Sequence, residues 1–166
     1  TCIESTTGNL FAIYLSNSDN ALVNSTIINN INGQYYGDTS PSSIGCQAGY
    51  INIGKGVYTS PSPVSASLNI LNSNLSSFSQ ESIYLYNVSG SSVNNSRISN
   101  SDYSILIISG GNITIYNNEL NSSTSYGINV GGEDETEGPP LASELSGFLT
   151  IESNRISDHL GYGIYL

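Results

Sequence analysis

Short runs along the chain alternate apolar and polar residues. They are Ala12-Ile13-Tyr14-Leu15, Tyr50-Ile51-Asn52-Ile53, Ser82-Ile83-Tyr84-Leu85, Ser104-Ile105-Leu106-Ile107, Gly127-Ile128-Asn129-Val130 and Gly163-Ile164-Tyr165-Leu166. A period of two sends alternate side chains to opposite faces, so each run predicts a strand with one buried face. The inward columns are then Ile13, Ile51, Ile83, Ile105, Ile128 and Ile164, and beside them Leu15, Ile53, Leu85, Ile107, Val130 and Leu166. A second set of runs follows the first five, with inward positions Leu22, Ile70, Val93, Ile115 and Ile151. Five residues further on come Ile27, Leu75, Ile98, Leu120 and Ile156. Between these two apolar columns lies a polar corner: Asn24, Asn72, Asn95, Asn117 and Ser153, with Ser25, Ser73, Ser96, Asn118 and Asn154 beside them.

Where the spacing is uninterrupted the unit is 22–23 residues long, and insertions fall near 33–49, 54–65 and 131–146. A unit this short cannot bury its own apolar side, whereas stacked copies can. Each strand then pairs in parallel with its copy one turn away, at about 4.8 Å. Like residues lie over one another, and corner asparagines can hydrogen-bond along the stack. The expectation is a single all-β domain over 1–166, a parallel solenoid of about five to six coils with inserted loops.

Composition narrows the function. Apolar residues are 37% and charged residues 10%, and the chain holds 31 Ser, 21 Asn and 20 Ile. Formal charge is −10, with Lys55, Arg97 and Arg155 as the only cations. Three cations cannot neutralise a phosphate backbone or hold an anionic membrane surface, which excludes nucleic acid as a partner. No apolar run reaches the ~20 residues of a membrane helix, so no membrane insertion is expected. The regularly spaced isoleucines argue against disorder.

The segments "VNNSRISNSDYSILI", "ITIYNNELNSSTSYGINV" and "LTIESNRISDHLGYGIYL" resemble the right-handed parallel β-helix repeats of pectin-lyase-like proteins. The resemblance covers nearly the whole chain. It implies a right-handed coil, as does the usual handedness of parallel connections. On function it is broad, since the superfamily includes polysaccharide lyases, hydrolases and epimerases, phage tailspikes and adhesins.

Polysaccharide chemistry would need a base with a partner that neutralises a uronate, or two or three carboxylates together. The outward column Thr26, Asn74, Arg97, Glu119, Arg155 alternates Arg, Glu, Arg, and reads as an ion-pair ladder on a solvent face. No catalytic residue is assigned. A further outward column reads Tyr14, Asn52, Tyr84, Leu106, Asn129, Tyr165, and the one before it Phe11, Gly49, Glu81, Tyr103, Tyr126, Tyr162. Aromatic faces of this kind stack on sugar rings, on a partner subunit or on one another, so carbohydrate is a candidate ligand. Glu133, Asp134, Glu135 and Glu137 put four carboxylates in five residues. They are the candidate Ca²⁺ ligands, against the alternative of a solvated loop tip. His159 has no second His or thiolate pair near it in sequence and reads as a corner residue.

Cys2 and Cys46 fit one disulfide in an oxidising compartment, closing a loop of about 45 residues, with two buried thiols as the alternative. Asn-x-Ser/Thr triplets occur at Asn24, Asn74, Asn87, Asn94, Asn112 and Asn121. Asn24 sits in the expected inner ladder and is a poor acceptor, whereas Asn74, Asn87, Asn94, Asn112 and Asn121 are candidate glycosylation sites. With the cysteines they place the protein outside the cell, at the cell surface. The chain begins at Thr1 without Met, as a processed product or a piece of something longer would. Cys2-Ile3-Glu4-Ser5-Thr6 reads like Thr150-Ile151-Glu152-Ser153-Asn154, and the last run stops on apolar residues. Copies stacked head to tail into a filament are therefore the expected partners. The alternatives are part of a larger β-helix, a polysaccharide-active enzyme or part of one, or part of a phage tailspike.

Overall fold

Strands that recur every 22–23 residues can pair with their own copies one turn away. That pairing organises the computed structural model, which describes residues 2–4, 11–16, 20–31, 42–47, 67–78, 81–86, 88–108, 110–131, 145 and 147–166. Numbered in chain order, the strands form three long sheets. Sheet A contains β2 (Phe11–Ser16), β5 (Ser42–Gln47), β8 (Ile83–Tyr86), β12 (Tyr103–Ile107), β16 (Tyr126–Val130) and β19 (Ile164–Tyr165). Sheet B contains β3 (Ala21–Asn24), β6 (Leu68–Leu71), β10 (Ser92–Asn94), β14 (Ile113–Tyr116) and β17 (Leu149–Glu152). Sheet C contains β1 (Cys2–Glu4), β4 (Ile27–Ile31), β7 (Asn74–Phe78), β11 (Arg97–Ser99), β15 (Glu119–Asn121) and β18 (Arg155–Ser157). β9 (Val88–Ser89) and β13 (Gly110–Gly111) pair at the A–B corner. The chain runs A, B, C in each coil and every pairing is parallel, so the fold is an all-β parallel β-helix.

The inward columns are stacked as the alternation requires. Ile83, Ile105, Ile128 and Ile164 are in register, as are Leu75, Ile98, Leu120 and Ile156. Ile83, Ile105, Ile128, Leu75, Ile98 and Leu120, with Ile70, Val93 and Ile115, belong to the core, flanked by half-buried Leu149, Ile151 and Ile156, while Ile164 in the last rung is exposed. Complete burial of each such side chain is worth roughly 1.5–3 kcal/mol.

The corners explain the asparagine and serine content. Ser25, Asn72, Asn95, Asn117 and Ser153 all hold φ between 50° and 59° at the B–C corner. Asn100, Ser122 and Asp158 hold φ between 55° and 60° at the C–A corner. Asn and Asp visit this left-handed region far more readily than bulky residues. The next residue turns its side chain inward. Thr26, Ser73 and Ser96 N–H groups donate to Ser73 Oγ, Ser96 Oγ and Asn118 Oδ1 at 3.3, 3.1 and 2.9 Å. Asn118 N–H continues the ladder to Asn154 Oδ1 at 2.9 Å. The side-chain donors turn back to carbonyls: Ser73 to Leu71, Ser96 to Asn94, Asn118 to Val93 and Asn154 to Ile115.

The structure corrects the sequence reading in the first two coils. Val23, not Leu22, aligns with Ile70, and Leu22 is 61% exposed. Ile28, not Ile27, aligns with Leu75, and Ile27 stands in the outward column with Asn74. Ser25 therefore joins the left-handed corner column and Thr26 the inner ladder, one residue later than the alternation suggested. In the second coil, Ile44 and Cys46 take the sheet A register positions between Ile13 and Ile83 and between Leu15 and Leu85. Ile51 and Ile53 lie outside the described residues, so part of the expected insertion 33–49 is a rung. β1 pairs with β4 through Cys2↔Ile27, which puts Ile3 in the sheet C column of Ile156, not in the sheet B column of Ile151.

Candidate functional site

Sheet C presents Ile27, Asn74, Arg97, Glu119 and Arg155 on its outer face, in register. Arg97 Nε donates to Glu119 Oε2 at 2.8 Å, with the side chains 63% and 33% exposed. A pair this wet is worth about 0–1 kcal/mol and matches charge between rungs.

The aromatic column is a stack. Tyr103 and Tyr126 lie 5.5 Å apart between ring centroids, and Tyr126 and Tyr162 lie 5.8 Å apart, stacked with 25° and 10° between their planes. Tyr165 closes on Tyr126 and Tyr162 at 5.5 and 5.8 Å. Ring faces already covered by neighbouring rings are not free for sugars, except at the end of the stack. Beside it, two members of the column expected outside are covered. Leu106 and Asn129 are buried, and Asn129 Oδ1 has no hydrogen-bond partner among the described residues.

The C-terminal face differs from both. β17, β18 and β19 are the last described strands of sheets B, C and A. Leu160, Tyr162, Ile164, Tyr165 and Leu166 are exposed around them, with Phe148 at the rim. A groove of about 550 Å³ opens there, lined by Val130, Leu145, Leu149, Ile151, Ile164 and Leu166. Leu145 was not singled out in the sequence. It reaches this end through a bridge to Gly110, a pairing that no local alternation announces.

His159 occupies the last C–A corner. Ser123 N–H donates to its Nδ1 at 3.2 Å, and Nε2 is enclosed without a partner among the described residues. Loss of hydration lowers its pKa below the ordinary 6.5, outweighing the Leu120 carbonyl and Asp158, which raise it. The neutral ring is thus favoured in the fold. This stabilisation is present above 6.5 and is lost as pH falls, because the unfolded chain takes the proton first. Thermal midpoints measured from about pH 7.5 to about pH 5.5 should fall more steeply for the native chain than for His159→Asn.

The other sequence candidates are dispersed. Asn74 is exposed on sheet C and Asn112 is exposed at the A–B corner, where it holds φ 53°. Asn121 is half-buried, and Asn94 has its Oδ1 enclosed. Asn24 is exposed at the B–C corner, not in the inner ladder, and its Oδ1 accepts from Asn72 Nδ2 at 3.1 Å. Asn87, Glu133, Asp134, Glu135 and Glu137 lie outside the described residues. Among the described residues no three His, Cys, Asp or Glu side chains converge as a metal site. Cys2 lies in β1 of sheet C and Cys46 in β5 of sheet A.

Residues 50–166 match the family described as a right-handed beta helix region. The chain belongs to the right-handed β-helix family. The match covers most of sheets A, B and C, including the whole C-terminal face, and fixes the hand of the coil. No curated protein matches the chain. No solved structure matches it.

Proposed function

We propose that this right-handed β-helix is a structural module of the cell exterior, glycosylated at exposed sequons such as Asn74 and Asn112, whose copies stack head to tail. The observation that carries the reading is the cluster of exposed apolar side chains Leu160, Tyr162, Ile164, Tyr165 and Leu166 beside an apolar groove. Clustered exposed apolar side chains are a surface that proteins ordinarily cover.

The corner ladder supports a directed contact. Each rung's N–H donates to the side chain of the rung after it, and the donor next in line is Asn154 N–H. β1 of a second copy would follow β18 in sheet C, and its β2 would follow β19 in sheet A. The tyrosine stack, open at Tyr162 and Tyr165, would continue outward. This contact joins unlike surfaces and builds a linear array. It is favoured over a polysaccharide-active enzyme because the only cation–carboxylate pair found among the described residues is solvated and the tyrosine faces cover each other.

Sedimentation velocity and electron microscopy of the purified chain should show rods that lengthen with concentration. Leu166→Asp disables one face, and Ile3→Asp, in the sheet C column, disables the other. Each variant alone should remain monomeric, and their equimolar mixture should stop at dimers. Native chain that stays monomeric at all concentrations would end the stacking reading.

A further inference from the structure

Tyrosine is the side chain through which this protein would give up an electron. The chain holds 12 Tyr and two Cys, with no Trp and no Met. Methionine sulfur, a common sink for oxidants, is therefore missing, and so is the indole that would compete with a phenol. Cys2 and Cys46 lie in β1 and β5, outside the rungs that carry the tyrosine stack. Within that stack, Tyr103 of β12 and Tyr126 of β16 are partners in register on adjacent strands, 5.5 Å apart between centroids and 25° between planes. Tyr126 also lies 5.8 Å from Tyr162 and 5.5 Å from Tyr165, so it is the hub of the cluster. The β12–β16 pairing and the buried Ile105 and Ile128 hold the two strands together, which keeps Tyr103 and Tyr126 side by side while the coil is folded. Both residues are half-buried, so their edges remain within reach of a small oxidant.

We propose that Tyr103 and Tyr126 form an oxidative cross-linking site, where a haem peroxidase with hydrogen peroxide joins two adjacent coils by a carbon–carbon bond between the rings. The peroxidase takes one electron from each phenol, and each phenol releases its proton, which leaves two phenoxyl radicals. The two unpaired electrons pair in a new bond between ring carbons ortho to the hydroxyls. Each of those carbons then gives up its hydrogen as a proton, the phenol oxygens are reprotonated, and both rings regain aromaticity. One hydrogen peroxide is reduced to two water molecules, and the protein loses two hydrogen atoms. Two radicals held one strand apart meet at an effective concentration far above that of separate chains, so coupling within the chain outruns coupling between chains. The bond closes a loop of about 24 residues and restricts the unfolded chain as a disulfide does. Tyr116 supplies an internal comparison, because it is 42% exposed on sheet B and stands outside the stack. None of this requires copies to stack.

The test treats the purified chain, dilute enough to be monomeric, with a haem peroxidase and an equivalent of hydrogen peroxide, followed by cleavage after glutamate and mass spectrometry. Glu119 lies between Tyr103 and Tyr126, so the two tyrosines fall in separate peptides unless they are joined. The expected product is monomer-sized, with those two peptides linked and two hydrogens lighter. Its thermal midpoint should lie roughly 5–10 °C above that of the untreated chain. In urea, at a concentration where the peroxidase still oxidises free tyrosine, the yield of the linked pair should fall about tenfold or more, because the coil no longer holds the rings together. Tyr103→Phe and Tyr126→Phe keep the stacked ring and should each abolish the link, whereas Tyr116→Phe should leave its yield unchanged. An equal yield of the pair in urea, or oxidation that joins chains through Tyr116 and leaves Tyr103 and Tyr126 separate, would overturn the proposal.

Discussion

Asn118→Leu should lower the unfolding free energy by about 2–5 kcal/mol, a fall of roughly 5–15 °C in thermal midpoint for a domain of this size. Leucine keeps the branching of asparagine but can make none of its three side-chain hydrogen bonds. Asn118 Oδ1 accepts the buried Ser96 N–H at 2.9 Å, and its Nδ2 donates to Val93 O at 2.8 Å and Asn154 Oδ1 at 2.9 Å. Leucine leaves a donor and an acceptor stranded in a dry corner, each costing about 1–3 kcal/mol. The neighbouring Asn117 is the control. It is exposed, holds φ 53°, and its Nδ2 donates to Asn95 Oδ1 in solvent. Glycine adopts that φ freely, so Asn117→Gly should stay within about 1 kcal/mol of the native chain. Urea denaturation of both variants measures the contrast. Equal midpoints would mean that the inner ladder is not what satisfies the corner.

Gly110→Ala should be at least as damaging, costing about 4 kcal/mol or more, enough to deplete the folded state of a marginally stable domain. Gly110 holds φ 136° where β13 pairs with β9, and a Cβ there would lie 1.9 Å from Val88 O. The obstructing atom is backbone in the adjacent rung, so no rotamer relieves the clash. Relief would require separating the two rungs at the A–B corner. Gly90, near the same corner, holds φ 69° with nothing within 4 Å of an added Cβ. Asn20 and Asn112 already adopt φ 56° and 53° near corresponding bends, so Gly90→Asn should fold with a midpoint near the native one. Soluble yield and melting of the two glycine variants separate a backbone clash from a simple requirement for left-handed geometry.

The contrast between the later and earlier coils shows what could be read from the chain. From Ile83 onward, single aliphatic residues alternate with polar ones, and the columns Ile83, Ile105, Ile128 and Leu75, Ile98, Leu120 follow directly. In the first coil the apolar residues come as doublets, Leu22-Val23 and Ile27-Ile28. A doublet satisfies either phase of a period-two pattern. A slip of one residue exchanges the two faces of a strand, so hydrophobicity alone cannot choose between them. The corner chooses: Ser25 takes the left-handed position and Thr26 presents the oxygen side of the inner ladder, which fixes Val23 inward and leaves Leu22 exposed. The candidate site was legible in the same uneven way. The apolar run at Ile164 and Leu166 was visible in the sequence, but the place of Leu145 beside it was not.

By itself, then, the sequence determined the period, the parallel stacking and the identity of most buried columns, because a 22–23-residue unit can hide its aliphatic side only against its own copies. Tertiary structure decided the phase of the first coil, the use of Ser42–Gln47 as a rung, and the sheet to which Cys2–Glu4 belongs. Those choices depend on hydrogen bonds and left-handed corners shared between rungs, interactions that exist only once neighbouring coils lie over one another.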